Sequence, residues 1–198
     1  EGRWSVPMPA PDGPHDALTR DWRSARVPAD AAPGEAVVRL VDGTIIARYA
    51  VESLPLTTSA PPFSTSVDAA FPGVGDLLGF TLANEALSLT EAPQVTLVWR
   101  AGDGPAETSF TVFVQIIDAQ GRVTAQSDAL PAGGTRPTTG WRVGEIVEDA
   151  HTLTWNSLAA PGEATLIAGL YDTVTGTRVR LADGSDSALL EAGLRVSP

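Results

Sequence analysis

Alternating apolar and polar residues along the chain predict β-strands rather than helices. The stretch QVTLVWR at 94–100 places Val95, Leu97 and Trp99 on one face of an extended strand. From position 71 onward such segments recur at the spacing expected of an all-β sandwich or barrel. They cover residues 77–84, 87–90, 94–100, 108–118, 122–127, 145–155, 163–171, 177–181 and 189–197. The pattern predicts an all-β fold in which residues 71–198 form an antiparallel β-sandwich, either jelly-roll or Ig-like.

Turn chemistry predicts three hairpins. Asp42-Gly43 separates two apolar runs, the strongest short hairpin signal in the chain. Asp118-Ala119-Gln120-Gly121 joins two other strand candidates, and glycine supplies the positive φ that a tight turn requires. A third turn at 172–176 predicts that 163–171 pairs with 177–181.

Residues 1–70 differ from the rest, because they hold nine of the 16 prolines. We expect a Pro-rich segment that carries a β-hairpin at about 20–52, with strand candidates at 21–27, 35–41 and 44–51. The strand 110–117 is apolar on both faces, which is typical of strands covered on both sides. We therefore expect residues 20–52 to pack on the sandwich or extend it. The alternative is that the second face is a shallow binding groove.

Composition removes several classes of chemistry. The 198 residues include 13 basic and 24 acidic ones, a net charge of −11, and all the basic residues are Arg. The absence of Cys and Lys excludes disulfide scaffolds, thiolate metal sites, Schiff-base chemistry and P-loops. An acidic chain is a poor partner for nucleic acid. Arg in place of Lys in an Ala-, Gly- and Pro-rich chain indicates GC-rich codon usage.

Catalytic residues are scarce in the sequence. Of the two histidines, His15 lies in a Pro-rich segment, and His151 is interpreted as a half-exposed strand residue. A Ser-His-Asp triad would have to use His151, and no G-x-S-x-G elbow holds a serine. Glu148 and Asp149 are adjacent and point to opposite faces of a strand, so they cannot form a glycosidase pair. We therefore expect neither an enzyme nor a cofactor.

Metal binding has one candidate, and a plain turn is the preferred interpretation. Asp183-Gly184-Ser185-Asp186 is similar to half of a calcium loop, but the remaining ligands of an EF-hand are missing. Asp183 and Asp186 are thus the candidate ligands, and no metal is expected.

Aromatic residues provide the candidate ligand site. Trp141 lies in a loop beside Arg136 and Arg142, and loops often carry binding residues, although a loop tryptophan also commonly seals one end of a sandwich. Tyr171 would share a face with Phe113 and Gln115 if their strands are neighbours. An open face there would be a platform for sugar rings. The predicted ligand-binding residues are Phe113, Gln115, Arg136, Trp141, Arg142 and Tyr171.

Several segments together resemble one known domain. They are FTVFVQIIDAQGRVTAQ at 110–126, GTRPTTGWRVGEIVEDAHTL at 134–153 and PGEATLIAGLYDTVTGTRV at 161–179, preceded by LLGF at 77–80 and the strand 95–99. Across about residues 71–181 the chain resembles the C-terminal extracytoplasmic β-sandwich region that follows the membrane spans of some bacterial glycosyltransferase-like proteins. These are of the dolichyl-phosphate-mannose-protein mannosyltransferase type.

The resemblance implies an extracytoplasmic location and an accessory role. In such proteins catalysis belongs to membrane segments that this sequence lacks, so no catalytic residue is carried over. Residues 1–66 do not match the pattern, unless they are a remnant of a preceding similar sandwich. The start at Glu1 favours an excised part of a membrane-anchored protein.

Two functions are expected from these observations. The first is a non-catalytic accessory module that positions or binds a glycan, a lipid-linked sugar or a surface polymer for the membrane-embedded part of the same polypeptide. The alternative is a structural or adhesive cell-surface domain that contacts another protein. An open face with Phe113, Gln115 and Tyr171 favours the first function. Coverage of that face by residues 20–52 favours a scaffold.

Overall fold

The strands of the protein were assigned in a computed structural model that describes residues 27, 29, 31–83 and 86–198. Within these residues lie twelve strands and two short 3-10 turns, at Pro131–Gly134 and Thr138–Gly140. The strands are β1 Gly34–Arg39, β2 Ile45–Val51, β3 Thr65–Phe71, β4 Gly75–Leu82, β5 Leu87–Ser88, β6 Gln94–Ala101, β7 Thr111–Asp118, β8 Val123–Ala129, β9 Ile146–Thr152, β10 Thr154–Trp155, β11 Gly162–Tyr171 and β12 Ala188–Ser197.

Two sheets form the larger of two units, residues 56–198. One sheet has the order β10-β8-β7-β11-β12-β5, and the other has the order β3-β4-β6-β9. All neighbouring strands are antiparallel except β12 and the short β5. Both sheets contribute apolar side chains to one core, including Leu97 and Trp99 from β6 and Val112 and Val114 from β7. The predicted antiparallel β-sandwich is confirmed.

The smaller unit, residues 1–55, contains the predicted hairpin. β1 and β2 pair around Asp42-Gly43, where Gly43 has φ +90° and Asp42 Oδ1 accepts from the Thr44 N–H at 2.8 Å. This Asx-type contact lowers the pKa of Asp42, chiefly because the Thr44 backbone N–H stabilises the carboxylate. The hairpin turn is confirmed. The strand candidate 21–27 and His15 lie outside the described residues, apart from Val27.

The larger unit begins earlier than the predicted boundary at residues 70 and 71. β3 pairs with β4, and this pairing places residues 65–71 in the four-stranded sheet. The sequence TSVDAAF hides this strand, since its alternation is interrupted by a bulge at Asp68, which has φ +52°. The expectation that residues 20–52 pack on the sandwich stays a prediction.

The turn at 172–176 brings residues 177–179 back antiparallel to the end of β11 as predicted, but the pairing is short: the Asp172 N–H donates to the Thr177 carbonyl at 3.0 Å and the Val179 N–H to the Leu170 carbonyl at 2.8 Å. Tyr171 and Arg178 make a single antiparallel bridge, and no strand follows at 177–181. The pairing is short because β7 occupies one edge of β11, and β12 occupies the other edge from Gly162 to Ala168. Since Arg178 lies opposite Tyr171 in the antiparallel bridge, its side chain falls on the same face as Tyr171.

Candidate functional site

The outer face of β7 and β11 carries three of the predicted ligand residues. In the register of these strands, Gly169 lies opposite Phe113 and Ile167 lies opposite Gln115. Phe113, Gln115 and Tyr171 therefore share one face, as expected if their strands were neighbours. The ring centroids of Phe113 and Tyr171 are 6.3 Å apart. The sequence correctly predicted this juxtaposition.

Arg178 covers Phe113 on this face. Its guanidinium lies 4.1 Å from the Phe113 ring centroid, which is a cation–π contact. The same group donates to Gln115 Oε1 at 3.4 Å and pairs with Asp186 at 3.3 Å. Phe113 is only 1% exposed and Gln115 only 8% exposed. Neither residue therefore offers an open surface on which a sugar ring could stack.

Gly169 leaves room for the Phe113 ring beneath Arg178. A Cβ atom built on Gly169 would be 2.4 Å from Phe113 Cζ and 3.1 Å from the Asp186 carbonyl oxygen. Any larger residue at position 169 would push the ring or the segment above it outward. The close approach is steric, because Gly169 is not among the positive-φ residues.

Tyr171 remains half-buried at the border of the same face. Burial raises the pKa of the Tyr171 hydroxyl, and the negative charge and hydrogen bond of Asp128 raise it further. The phenol therefore stays protonated and donates to the Asp128 carboxylate. The polar end of Tyr171 is thus held in a fixed position beside an acidic group.

An open cleft of about 590 Å³ lies next to this cluster. Its walls combine one guanidinium, two carboxylates, hydroxyl groups and one aromatic ring. The lining residues are Glu107, Thr108, Phe110, Asp172, Thr175, Thr177, Arg178 and Val179. Arg178 thus joins the covered Phe113 face to the cleft. The sequence prediction did not include the cleft, because its lining joins two segments distant in the chain, 107–110 and 172–179.

The loop residues predicted as ligand groups form a different, largely buried cluster. The Trp141 ring is fully buried, 6.1 Å from Trp99 by ring centroids, and its Nε1–H donates to the Arg136 carbonyl at 2.8 Å. Arg136 and Arg142 both pair with the buried Glu145 carboxylate. The Arg142 backbone N–H also donates to Glu145 at 3.0 Å.

The charges of this buried loop cluster satisfy each other. A buried carboxylate requires paired charges and hydrogen bonds, and two arginines supply them here. The Trp141 ring has no exposed face in this arrangement. The structure therefore does not bring Trp141, Arg136 and Arg142 together with Phe113, Gln115 and Tyr171 in one site.

The candidate metal ligands are engaged elsewhere. Asp183 Oδ1 accepts a hydrogen bond from the Ser185 hydroxyl at 2.6 Å and another from the Ser185 backbone N–H at 2.9 Å. These bonds lower the pKa of Asp183, and the bond from the hydroxyl is the larger cause. Asp186 pairs with Arg178. Among the described residues there is no group of three or more potential metal ligands.

A hydrogen-bonded chain of three side chains lies at one flank of the sandwich. Ser127 Oγ is 3.1 Å from His151 Nδ1, and His151 Nε2 is 3.0 Å from Asp149 Oδ2. Asp149 Oδ1 accepts from the Ala132 N–H at 2.8 Å. Asp149 and His151 are 0% and 3% exposed.

The expectation of a half-exposed His151 is therefore wrong. Asp149 and His151 alternate along β9 on the same face as the buried Val147, so they point inward. The Asp-x-His spacing on a strand was a usable signal for the pair. Ser127 comes from β8 in the other sheet, and no local pattern indicates that it meets His151.

Comparisons with known proteins leave the family open. The chain matches no protein-family model, and no curated protein or solved structure matches it either. The resemblance to the mannosyltransferase-type region therefore stays a prediction. No helix in the described ranges is long and apolar enough to cross a membrane.

Proposed function

We propose that this protein is an extracytoplasmic accessory module that binds a short glycan or the sugar of a lipid-linked donor. The observation that carries the proposal is the open cleft beside Arg178, with charged, hydroxyl and aromatic groups on its walls. The location and the membrane-anchored glycosyltransferase-like context come from the resemblance described above.

The cleft has the mixture of groups that sugars need. Glu107 and Asp172 offer acceptors for sugar hydroxyls, and Arg178 offers several donors in a planar arrangement. Phe110 is half-buried in the wall and presents an apolar surface for the C–H face of a sugar ring. A small number of polar groups around an apolar surface is typical of ligand sites.

Arg178 is already held in place before a ligand arrives. Its guanidinium contacts Phe113, Gln115 and Asp186. A long side chain normally loses rotamer entropy when a ligand immobilises it, and this loss lowers affinity. The contacts of Arg178 reduce that loss. The predicted residues Phe113, Gln115 and Tyr171 would thus support the cleft without stacking on the ligand.

A glycan array followed by calorimetry tests the proposal. The chain should bind one class of glycan, and Arg178→Gln should raise the Kd about 10-fold or more, as expected when a charged hydrogen bond is removed. Arg195→Gln is the matched control, since the Arg195 side chain is 80% exposed and pairs with the exposed carboxylate of Glu163. The control should leave the Kd unchanged. Absence of any bound glycan, or equal binding by both variants, would refute the proposal.

A second candidate function is a structural or adhesive cell-surface domain. The observation that favours it is the β1–β2 hairpin, on which Val41, Ile46 and Tyr49 are 106%, 55% and 61% exposed. Large exposed apolar side chains are typical of surfaces that contact proteins. If the array finds no glycan, and if Ile46→Ser with Tyr49→Ser abolishes retention of the chain on cell envelopes, this second function would replace the first.

A further inference from the structure

We propose that Ser127 is an activated nucleophile that accepts an acyl group, with His151 as its general base and Asp149 as the positioning residue. The inference rests on the Ser127–His151–Asp149 chain of hydrogen bonds and is independent of the glycan cleft.

The hydrogen-bond partners determine where the protons lie. An ionised Asp149 carboxylate can only accept, so His151 must carry its proton on Nε2, which faces Asp149 Oδ2 at 3.0 Å. In the tautomer with its proton on Nε2, Nδ1 carries a lone pair. Ser127 Oγ, 3.1 Å away, must donate to it. A serine hydroxyl that donates to an imidazole held by a carboxylate follows the same logic as activated serine nucleophiles, with the two ring nitrogens exchanged relative to the Ser-His-Asp triad.

Asp149 itself is fixed by the turn at Pro131–Gly134. Its Oδ1 accepts from the Ala132 N–H at 2.8 Å, and Ala132 adopts φ +52° to present that N–H. A non-glycine residue in this conformation is strained and persists only where the surroundings impose it. The buried carboxylate therefore holds one tautomer of His151.

Ser127 is the most exposed of the three side chains, as a nucleophile that must reach a substrate requires. Asp149 and His151 have side chains with 0% exposure, whereas Ser127 is half-buried. Ser127 lies on β8, and its neighbour β10 pairs only with Ala125 and Gln126. The sheet edge beside Ser127 is therefore not covered by a strand. β9, which carries the base, is the edge strand of the other sheet.

The chemistry balances with an ester or another activated acyl donor. Ser127 Oγ forms a bond to the acyl carbon while its proton passes to His151 Nδ1. The bond from the acyl carbon to the leaving oxygen breaks, and that oxygen takes the proton from His151 as an alcohol. The acyl group stays on Ser127 until water removes it as a carboxylic acid. Only the donor and water are consumed, and neither oxidation nor reduction occurs.

A fluorophosphonate probe tests the proposal on the intact 198-residue chain. Oγ displaces fluoride from phosphorus, and mass spectrometry of peptides should place the adduct on Ser127. Asp149→Asn is nearly isosteric and can still accept from Ala132, but its amide NH₂ favours the tautomer with the proton on Nδ1. We expect this variant to react about 10²-fold more slowly, the range of a lost general base. His151→Gln should show a similar loss.

Controls separate activation from ordinary serine reactivity. Ser185 also hydrogen-bonds a carboxylate, at 2.6 Å from Asp183 Oδ1, but without an imidazole, so Ser185→Ala should leave labelling unchanged. Ser127→Ala should abolish it. Wild-type chain unfolded in guanidinium should be unreactive, which keeps the test valid if a variant fails to fold. Lack of labelling in folded wild type, or equal rates for wild type and folded Asp149→Asn, would overturn the proposal.

Discussion

Trp141 is expected to stabilise the fold, and truncation of its ring measures how much. Its ring is 0% exposed and packs against Trp99 at 6.1 Å between centroids. Loss of a fully buried Trp side chain typically costs about 3–5 kcal/mol, because the cavity is only partly refilled. We therefore expect Trp141→Ala to lower the free energy of unfolding by about that amount. For a chain of this size the melting temperature would fall by about 6–20 °C.

Two variants separate the contributions of the ring. Trp141→Phe keeps most of the apolar volume but removes the Nε1–H that donates to the Arg136 carbonyl at 2.8 Å. Loss of the hydrogen-bond partner of a buried carbonyl costs about 1–3 kcal/mol of stability. The free energy of unfolding of Trp141→Phe should therefore lie between those of wild type and Trp141→Ala.

Urea unfolding followed by far-ultraviolet circular dichroism is the assay, because it does not depend on tryptophan fluorescence. The slope of free energy against urea should stay constant if only stability changes. A loss below about 1 kcal/mol for Trp141→Ala, within the range of ordinary surface substitutions, would refute the packing argument. If that variant also lost glycan binding, Trp141 would be a ligand residue as the sequence predicted.

Two further predictions concern the covered face. Gly169→Ala should lower the free energy of unfolding in urea by about 1–3 kcal/mol, because the added Cβ would lie 2.4 Å from Phe113 Cζ. The control Gly140→Ala should leave the free energy of unfolding unchanged, since the atom nearest to its Cβ is 3.9 Å away. A second change, Phe113→Leu, should restore part of the loss, and a purely additive result would contradict the steric explanation. Absorbance titration of a Tyr49→Phe chain should show Tyr171 ionising above the usual phenol range, and Asp128→Asn should lower that pKa. The raised pKa means that folding favours the protonated Tyr171 phenol. The contribution of this phenol to the free energy of unfolding is therefore present below about pH 10 and is lost as the pH rises through the pKa of Tyr171 in the folded state. A Tyr171 pKa unchanged by Asp128→Asn would be evidence against the contact.

Local chemistry in the sequence predicted strands and tight turns well. The Asp42-Gly43 hairpin formed as expected, and so did the turn before Gly121, which has φ +77°. Both depend on residues adjacent in the chain. β6 and β7 also lie close to their predicted bounds, since alternation is strong in strands whose faces are buried. Strand β3 was missed because its bulge breaks that alternation.

Part of the candidate site was also visible in the sequence. Alternation placed Phe113 with Gln115, and Tyr171 with Gly169, each on one face of its own strand. The register of β7 and β11 then brought the two pairs together. Alternation alone did not show Arg178 above Phe113, because this contact depends on the register in which residues 177–179 return along β11, where Arg178 lies opposite Tyr171. Alternation within one segment does not specify its register against another segment.

By itself the sequence determined the all-β class, the principal strands, the two turns and the acidic, Cys- and Lys-free surface chemistry. Only the tertiary structure decided which side chains from distant strands meet. Trp141 points into the core, and Ser127 from one sheet reaches His151 from the other. The physical reason is that period-two alternation specifies a face of one strand, whereas the residues opposite that face depend on the packing of two sheets.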